Sequence, residues 1–357
     1  MDIIDKYIIR KFLSTFFFMI GVVMLLSTVF DISARLGEFI ENNASASAII
    51  FDYYVHFIIY YGNTFSSLII FLSVIWFTAK MAQDSEIIPL LFSSRPFTRI
   101  LRPYFIAASI LVVFSLILNH FVIPRSNKTR LAFEERFYRD RMFVQDYHVQ
   151  FPGNKIVYFS SYLSDYNVFN DFRIEVWDKK NKAKSILVAK SAKNELGTNR
   201  WKLEHYYSKH FGYPKDRLEV RNKKDTTFEF QTHELVIREN RAETMTYKEL
   251  KAFIARESEK GNPNVPLYEL ELHRRTSLPF ATYFLTLMGV AVSSRKKRGG
   301  IGINIAIGLF FVFVYIFTMQ VTTVAAEKIG FPPVIAVWIP NILFGLIGYY
   351  MYKVAPK

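Results

Sequence analysis

Long apolar runs and one dense block of charge divide this 357-residue chain, and this division limits its fold more than any other feature. Residues 124–276 hold 30 of the 45 Lys and Arg residues and 22 of the 31 Asp and Glu residues. The other 204 residues hold only 24 charged residues, and helices that enter lipid must contain few. A chain of 51% hydrophobic residues whose charges are set apart in this way is typical of a membrane protein with a water-exposed insertion.

Six apolar runs are predicted to cross a bilayer as helices. Three precede the charged block and three follow it, at 12–30, 53–79, 104–123, 278–292, 301–326 and 334–352. The first run has a basic amino-terminal flank, as a signal peptide does, but it is longer than the apolar segment of a signal peptide. No small-residue cleavage site follows it. We therefore predict a retained first helix rather than a cleaved leader.

The short loops predict the orientation, because Lys and Arg beside a span resist translocation. With the amino terminus in the cytoplasm, the cytoplasmic segments hold thirteen basic residues and the short outer loops hold only Arg35 and Lys328. We therefore expect both termini in the cytoplasm and the charged block on the far side. The predicted domains are residues 1–123 with three spans, residues 124–276 outside, and residues 277–357 with three further spans.

The outer block shows apolar and polar residues in alternation, separated by turn residues. The stretches with this pattern are KIVYFSSYL, DFRIEVWD, KSILVAKSAK, RWKLEHYYSKHF and TTFEFQTHELVI. Such alternation predicts an antiparallel β domain of many short strands. A helical continuation of the third span precedes it, and a helix that begins at Thr246 and stops at Gly261 follows it. The predicted fold is an α-helical membrane protein with six transmembrane helices and an inserted antiparallel β domain.

The chain offers no signature of catalysis. It has no cysteine, which excludes disulfides and thiol chemistry, and it lacks a P-loop, a dinucleotide fingerprint and a nucleophile elbow. His148, His205, His210 and His233 lack the spacing of metal ligands. Basic residues of the block are interleaved with acidic ones, which favours a solvated surface over a nucleic-acid site. We predict neither an enzyme nor a resident cofactor, so any ATP must be bound by another chain.

The loop between the second and third spans mixes charges with apolar residues and predicts a short amphipathic helix at about 81–95 under the membrane. Asp84 is its expected cap and Glu86 lies in its first turn. Two roles fit these residues. The helix either floats at the interface or is the contact through which a cytoplasmic motor moves the spans.

Two pairs within the spans are further candidates. Asp31 and Arg35 are four residues apart and share one helical face, so they form either an ion pair at the lipid boundary or a charged wall for an anionic head group. Gly302 and Gly308 of the fifth span permit a close helix approach, which serves either a gate or ordinary membrane packing.

The last hundred residues carry a family likeness. The run RRTSLPFATYFLTLMGVAVSSRKKRGGIGINIAIGLFFVFVYIFTMQ, followed by GFPPVIAVWIPNILFGLIGYY, closely resembles the YjgP/YjgQ (LptF/LptG) family, the paired permeases of the lipopolysaccharide transporter. The opening DKYIIRKFLSTFF is similar to the family's amino terminus, and QDSEIIPLL looks like its coupling helix. The positions that match in the carboxy-terminal part are Leu278, Pro279, Ala281, Gly289, Gly299, Gly300, Pro332, Pro333, Pro340 and Asn341.

This resemblance implies a permease subunit of an ABC-type transporter in the bacterial inner membrane. Two such permeases would form a heterodimer over a cytoplasmic ATPase dimer that binds the ATP, with a single-span periplasmic jelly-roll partner at the lateral gate. The machine would extract lipopolysaccharide and pass it to a periplasmic bridge. The outer domain would be jelly-roll-like and would stack edge to edge with a partner's domain.

The resemblance also implies roles for single residues. Three would couple to the ATPase, namely Asp84, Glu86 and Ile87. Five would contact substrate or form the gate, which the first and fifth spans are expected to make, namely Asp31, Arg35, Gly302, Gly308 and Tyr315.

The chain departs from the family pattern in two places. Pro89 falls inside the coupling segment, where it removes an amide donor and restrains Ile88. One member type carries a phosphate-binding lysine in its first span, whereas the nearest residue here is Asp31, with Arg35 one turn onward as the substitute. The paralogue type therefore stays open.

Two other classes compete with export. A signalling or mechanotransducing membrane protein would use the outer domain as a sensor without transporting lipid, and it would need a cytoplasmic output domain. A secondary transporter would need ionisable residues at mid-span and broken helices. Neither feature is apparent in the sequence.

Overall fold

The computed structural model describes most of the chain, at residues 2–86, 97–137, 143–164, 166–178, 182–195, 198–212, 215–235, 239–294 and 300–354. The chain divides into two compact units. The first comprises Met1–Tyr138, Ala242–Leu250 and Pro266–Lys357. The second comprises Arg139–Arg241 and Lys251–Val265.

Within the described residues, six helices are long and apolar enough to cross a membrane, as the charge pattern predicted. A shorter helix precedes the fourth of them. In chain order the helices are α1 (Ile3–Glu41), α2 (Ala46–Gln83), α3 (Thr98–Phe137), α4 (Tyr247–Glu259), α5 (Val265–Ser293), α6 (Gly300–Ile329) and α7 (Pro333–Val354).

The spanning helices differ strongly in burial. In α2 and α5, 67% of the most apolar stretch is buried, whereas the figure is 17% in α1 and α6. Aromatic side chains of α1, α2 and α3 pack together. The ring of Phe77 in α2 lies 5.5 Å from that of Phe12 in α1 and 5.3 Å from that of Tyr104 in α3. The helices α2 and α5 therefore form the centre of this unit, and α1 and α6 lie at its edge with exposed apolar faces.

The second unit is built on a single antiparallel sheet. Among the described residues it has six strands in the order β1-β2-β3-β4-β5-β6, so that each strand pairs with its neighbours along the chain. The strands are β1 (Phe143–Phe151), β2 (Lys155–Leu163), β3 (Val168–Trp177), β4 (Ala183–Asn194), β5 (Arg200–His210) and β6 (Arg217–Thr227). This sheet confirms the predicted antiparallel β domain.

One of the predicted strands is wrong. The stretch TTFEFQTHELVI contains only the end of β6, and Thr232–Leu235 forms a helical turn. Its apolar residues pack against the sheet instead of pairing in it. The Phe230 ring is buried against Trp201, and the Trp201 indole donates a hydrogen bond to the Phe230 carbonyl at 3.2 Å. The segment therefore covers one face of the sheet without pairing to it.

The same face of the sheet carries an aromatic core. Phe159, Phe169, Phe172 and Trp201 are all fully buried, and the rings of Phe172 and Trp201 stack at 5.4 Å. Burial of these large rings dominates the stability of a unit of this size.

A line of unusual backbone conformations crosses the sheet. Asp146, Asp171 and His205 each adopt a φ of 47° in β1, β3 and β5, and regular pairing is interrupted at each position. The register of the strands is the same on both sides of each position, so none of the three is an inserted residue. They mark one line across the sheet where the backbone departs locally from the extended conformation.

Candidate functional site

A cluster of charges holds the amino-terminal end of α1. Arg99 of α3 donates two hydrogen bonds to the carboxylate of Asp5, at 2.8 and 2.9 Å, and a third to Asp2 at 2.7 Å. The Asp5 side chain is only 3% exposed. Paired guanidinium–carboxylate bonds of this geometry are among the stronger polar contacts in proteins. They fix the first turn of α1 to the start of α3.

Glu86 joins the same end of α1 to the segment after α2. Its Oε2 accepts hydrogen bonds from the Tyr7 hydroxyl at 2.9 Å and from Lys11 Nζ at 3.1 Å. Lys11 also donates to the Tyr7 oxygen at 2.7 Å. Burial raises the pKa of the Glu86 carboxyl, but the bonds from Lys11 and Tyr7 outweigh it and hold that pKa below its usual range. Glu86 is therefore an anion bound to α1.

We name these residues the α1 clamp: Asp2, Asp5, Tyr7, Lys11, Glu86 and Arg99. The sequence predicted Asp84 and Glu86 as coupling residues, and both lie just beyond the end of α2. The Asp84 amide donates to the Lys80 carbonyl at 2.9 Å and so closes that helix. Ile87 and most of the predicted helix at 81–95 lie outside the described residues, and these coupling roles stay predictions.

Asp31 and Arg35 form the ion pair that their spacing predicted. Arg35 Nε donates to Asp31 Oδ1 at 3.2 Å, and the other Asp31 oxygen accepts hydrogen bonds from Tyr53 at 3.0 Å and Tyr54 at 3.1 Å. Arg35 also lies 3.7 Å from Glu38. The carboxylate of Asp31 thus organises the start of α2 around α1. Arg35 keeps 29% of its side chain exposed.

The three predicted residues of α6 occupy different environments. A Cβ on Gly308 would lie 2.6 Å from Ile75 Cδ1, so Gly308 lets α6 approach α2 closely, whereas a Cβ on Gly302 would meet nothing within 4 Å. Tyr315 is buried, and its hydroxyl donates to Asn341 Oδ1 at 2.8 Å. In this structure Tyr315 packs inside the chain, and its contact with substrate stays a prediction.

A second buried cluster surrounds Arg130 and was not predicted from the sequence. Arg130 of α3 is 5% exposed, donates to Glu134 at 2.8 Å and lies 3.4 Å from Glu243. Its guanidinium stands over the rings of Tyr60 and Tyr61, with 4.6 and 5.6 Å to their centroids. The sequence placed these charges in a solvated block. One sequence feature could have indicated this cluster: Arg130 lies just beyond the end of an apolar run, where charged side chains usually face a partner.

The segment Ala242–Leu250 is held at this cluster. Arg275 of α5 is 3% exposed and donates to the carbonyls of Met245 at 2.7 Å and Ala242 at 2.9 Å. Burial and the nearby charge of Glu271 raise the pKa of Glu243 to about 7, although Arg130 and Tyr60 oppose this change. Glu243 therefore changes its protonation state near neutral pH.

The unit also contains an apolar groove, of about 280 Å³, between α1, α2 and α3. Phe16, Met24 and Phe114 are among its walls, and the side chains of Asn63 and Ser115 supply polar atoms. These two side chains bond to each other at 2.7 Å. The walls are suited to hydrocarbon rather than to a charged ligand.

The described residues contain no group of three or more His, Asp or Glu side chains arranged to hold a metal ion. The polar clusters consist of ion pairs and hydrogen bonds between helices. They join the ends of spans.

Nearly the whole chain is similar to a known protein family. A family model described as lipopolysaccharide export system permease LptF/LptG matches residues 6–354. No curated protein matches the chain. The family match covers all six spanning helices and the inserted sheet.

Proposed function

The chain belongs to the LptF/LptG family of lipopolysaccharide export system permeases, and from this premise we propose that it is the permease subunit of an ABC-type exporter. It extracts lipopolysaccharide from the bacterial inner membrane and passes it to a periplasmic bridge. A separate cytoplasmic ATPase dimer binds and hydrolyses the ATP. Both termini are cytoplasmic, and residues 124–276 are periplasmic.

The observation that carries this proposal is the exposure of α1 and α6. Phe18 of α1 is 71% exposed and Phe313 and Phe317 of α6 are 67% and 60% exposed. A second permease of the same family faces these helices, so that the two chains enclose an apolar cavity. Moving acyl chains from the bilayer into such a cavity requires little free energy, because both surroundings are hydrocarbon.

The head group needs paired charge. Arg35 lies towards the end of α1 opposite the clamp and keeps part of its side chain exposed, and a guanidinium suits a phosphate oxygen. In this proposal Asp31 positions Arg35 rather than touching the lipid. Gly308 sets the distance between α6 and α2 and thereby the position of the gate helix.

The β unit continues the path through a partner's domain. The edge strand β6 exposes Leu218 by 64% and Val220 by 68%. An edge of this kind is prone to pair with another strand. A single-span periplasmic jelly-roll partner therefore stacks on the sheet edge to edge and also touches the lateral gate.

Photo-crosslinking in native membranes tests the substrate path. A photo-reactive amino acid at Arg35 or Phe317 should label lipopolysaccharide, whereas one at Phe344, which is fully buried, should not. Labelling at all three positions or at none would contradict the proposed cavity.

Co-purification tests the partners. The wild-type chain should bring down an ATPase and a second six-span permease, and Glu86→Lys should lose the ATPase while it keeps the second permease. If Glu86→Lys retains the ATPase and full export, the coupling role of Glu86 is wrong.

A further inference from the structure

The α1 clamp contains one ion pair that is shielded from water and one that is exposed to it. The bond between Arg99 and Asp5 is shielded, because the carboxylate is 3% exposed. The contact between Lys11 and Glu86 is open to water, with 23% and 38% of the side chains exposed. Water weakens and exchanges an exposed ion pair far more readily than a buried one. Arg99 is therefore a fixed anchor for α1, and Glu86 is a contact that a ligand or partner can reach.

Within the described residues, the two hydrogen-bond donors to the Glu86 side chain both lie on α1. Glu86 accepts from Tyr7 and Lys11 through one oxygen, Oε2, and both donors lie on the first three turns of α1. Lys11 is in turn held by the Tyr7 hydroxyl and stands 4.9 Å from the centre of the Tyr7 ring. The three side chains thus form one hydrogen-bonded unit between the end of α2 and α1.

We infer that Lys11 and Tyr7 are positioning residues for transport, which transmit a displacement of the segment at Glu86 directly to α1. This inference rests on the proposed function, in which the ATPase acts at Glu86 and α1 belongs to the gate. The bonds at Asp5 and at Asp31 hold α1 at two points, and a displacement applied between them at Lys11 bends the helix. The contact at Lys11 lies about two turns from the anchor at Asp5, roughly 9 Å along the helix axis.

Between these two points the apolar surroundings of α1 permit such a bend. Beyond the clamp, Phe12 and Phe16 are buried among apolar side chains of α2 and α3. Apolar contacts have no directional bonds to break, so small sliding movements are cheap in comparison with loss of an ion pair. A displacement near Glu86 therefore changes the exposed mid-membrane face of α1.

The test uses the full complex in proteoliposomes, with the wild-type partners, and measures lipopolysaccharide released per ATP hydrolysed. Lys11→Gln should lower this ratio about fivefold, the size expected from loss of one partly exposed charged hydrogen bond. Lys11→Arg should restore it, because the ion pair is kept. Arg10→Gln is the matched control, since Arg10 is the exposed neighbour of Lys11 and its replacement should leave the ratio within twofold of wild type.

A double-mutant cycle separates transmission from a general loss of structure. If Lys11 acts through Glu86, the variant with both Lys11→Gln and Glu86→Gln should release no less lipid per ATP than Glu86→Gln alone. Additive losses, or a Lys11→Arg variant as poor as Lys11→Gln, would overturn the inference. A wild-type complex that releases no lipopolysaccharide with ATP would instead defeat the proposed function.

A distance measurement gives a second readout that does not depend on export. The chain has no cysteine, so before it is assembled with its partners it can be spin-labelled at cysteines introduced in place of exposed Phe18 of α1 and Trp76 of α2. The distance between the labels should change when ATP is added to the complex and should stay fixed in the Lys11→Gln variant. An equal change in both proteins would show that α1 moves without Lys11 and would refute the inference.

Discussion

Replacing Glu243 by glutamine should remove a pH-dependent penalty from the folded chain. Burial and the charge of Glu271 raise the pKa of Glu243 from 4.5 to about 7. Between these two values the folded state holds a proton that the unfolded state has released. Stability therefore falls as the pH rises from 4.5 to about 7, and the loss is complete above that range.

The size of the penalty follows from the two pKa values. At 1.36 kcal/mol for each tenfold change in proton affinity, the difference is on the order of 3 kcal/mol above neutral pH. The Glu243 side chain is still 23% exposed, and water screens part of the interaction, so we expect about 1–2 kcal/mol to be measurable. Glutamine has the same length and still accepts hydrogen bonds, but it carries no charge. Glu243→Gln should therefore be more stable than wild type at pH 8 and equal to it at pH 4.

Unfolding of the purified chain in detergent, followed by the fluorescence of its four tryptophans, measures this difference. The pKa of Glu86 and that of Glu249 lie below their usual values, so these carboxyls titrate outside the critical range. Glu259→Gln, an exposed change on α4, is the control and should follow wild type at every pH. A constant difference between Glu243→Gln and wild type from pH 4 to pH 8 would refute the reasoning.

Two further changes test the packing of each unit. Trp201→Ala should destabilise the β unit by about 3–5 kcal/mol, because it empties a fully buried site. Trp177→Ala, at a partly exposed site, should have less than about half that effect. The rate of proteolysis of the sheet measures both changes. Gly308→Leu should destabilise the helical unit by about 1–3 kcal/mol, because the new side chain would collide with Ile75. Gly302→Leu meets open space and should change the stability by less than about 0.5 kcal/mol. Equal effects of the two leucine variants in a thermal unfolding assay would contradict this packing.

The helices were predictable from the sequence because lipid imposes a strict rule on them. A charge inside a bilayer is expensive, so the separation of charged and apolar residues alone marked six spans. The sheet was harder to predict. Alternation identified β2 to β5, which bury one face, but neither β1 nor β6 was predicted, and the side chains of β6 are mostly exposed. The alternation around Phe228 and Phe230 arose instead from a segment that covers the core.

The polar clusters were predictable only where their residues are close along the chain. Asp31 and Arg35 are one helical turn apart, and their pairing followed from that spacing. Tyr54 is 23 residues from Asp31 and reaches it through a π-helical turn at the start of α2, over Ile49–Tyr54, which periodicity did not indicate. Arg130 and Glu243 are 113 residues apart. Contacts of this range depend on how helices pack, and a single sequence contains no direct signal for them.

The charged contacts have a common location that bears on how an export permease moves. Asp5 with Arg99, and Lys11 with Glu86, join helices at one end of the spans, while Arg130 with its carboxylates joins them at the other end. Between these ends the contacts of α1 are mainly apolar. Polar bonds hold helices at defined points, whereas apolar packing tolerates sliding. Because α1 is also bonded at Asp31 to Tyr53 and Tyr54, we expect it to bend between the clamp and Asp31, so that a small displacement near the clamp shifts the exposed apolar face that we propose lies on the lipid path.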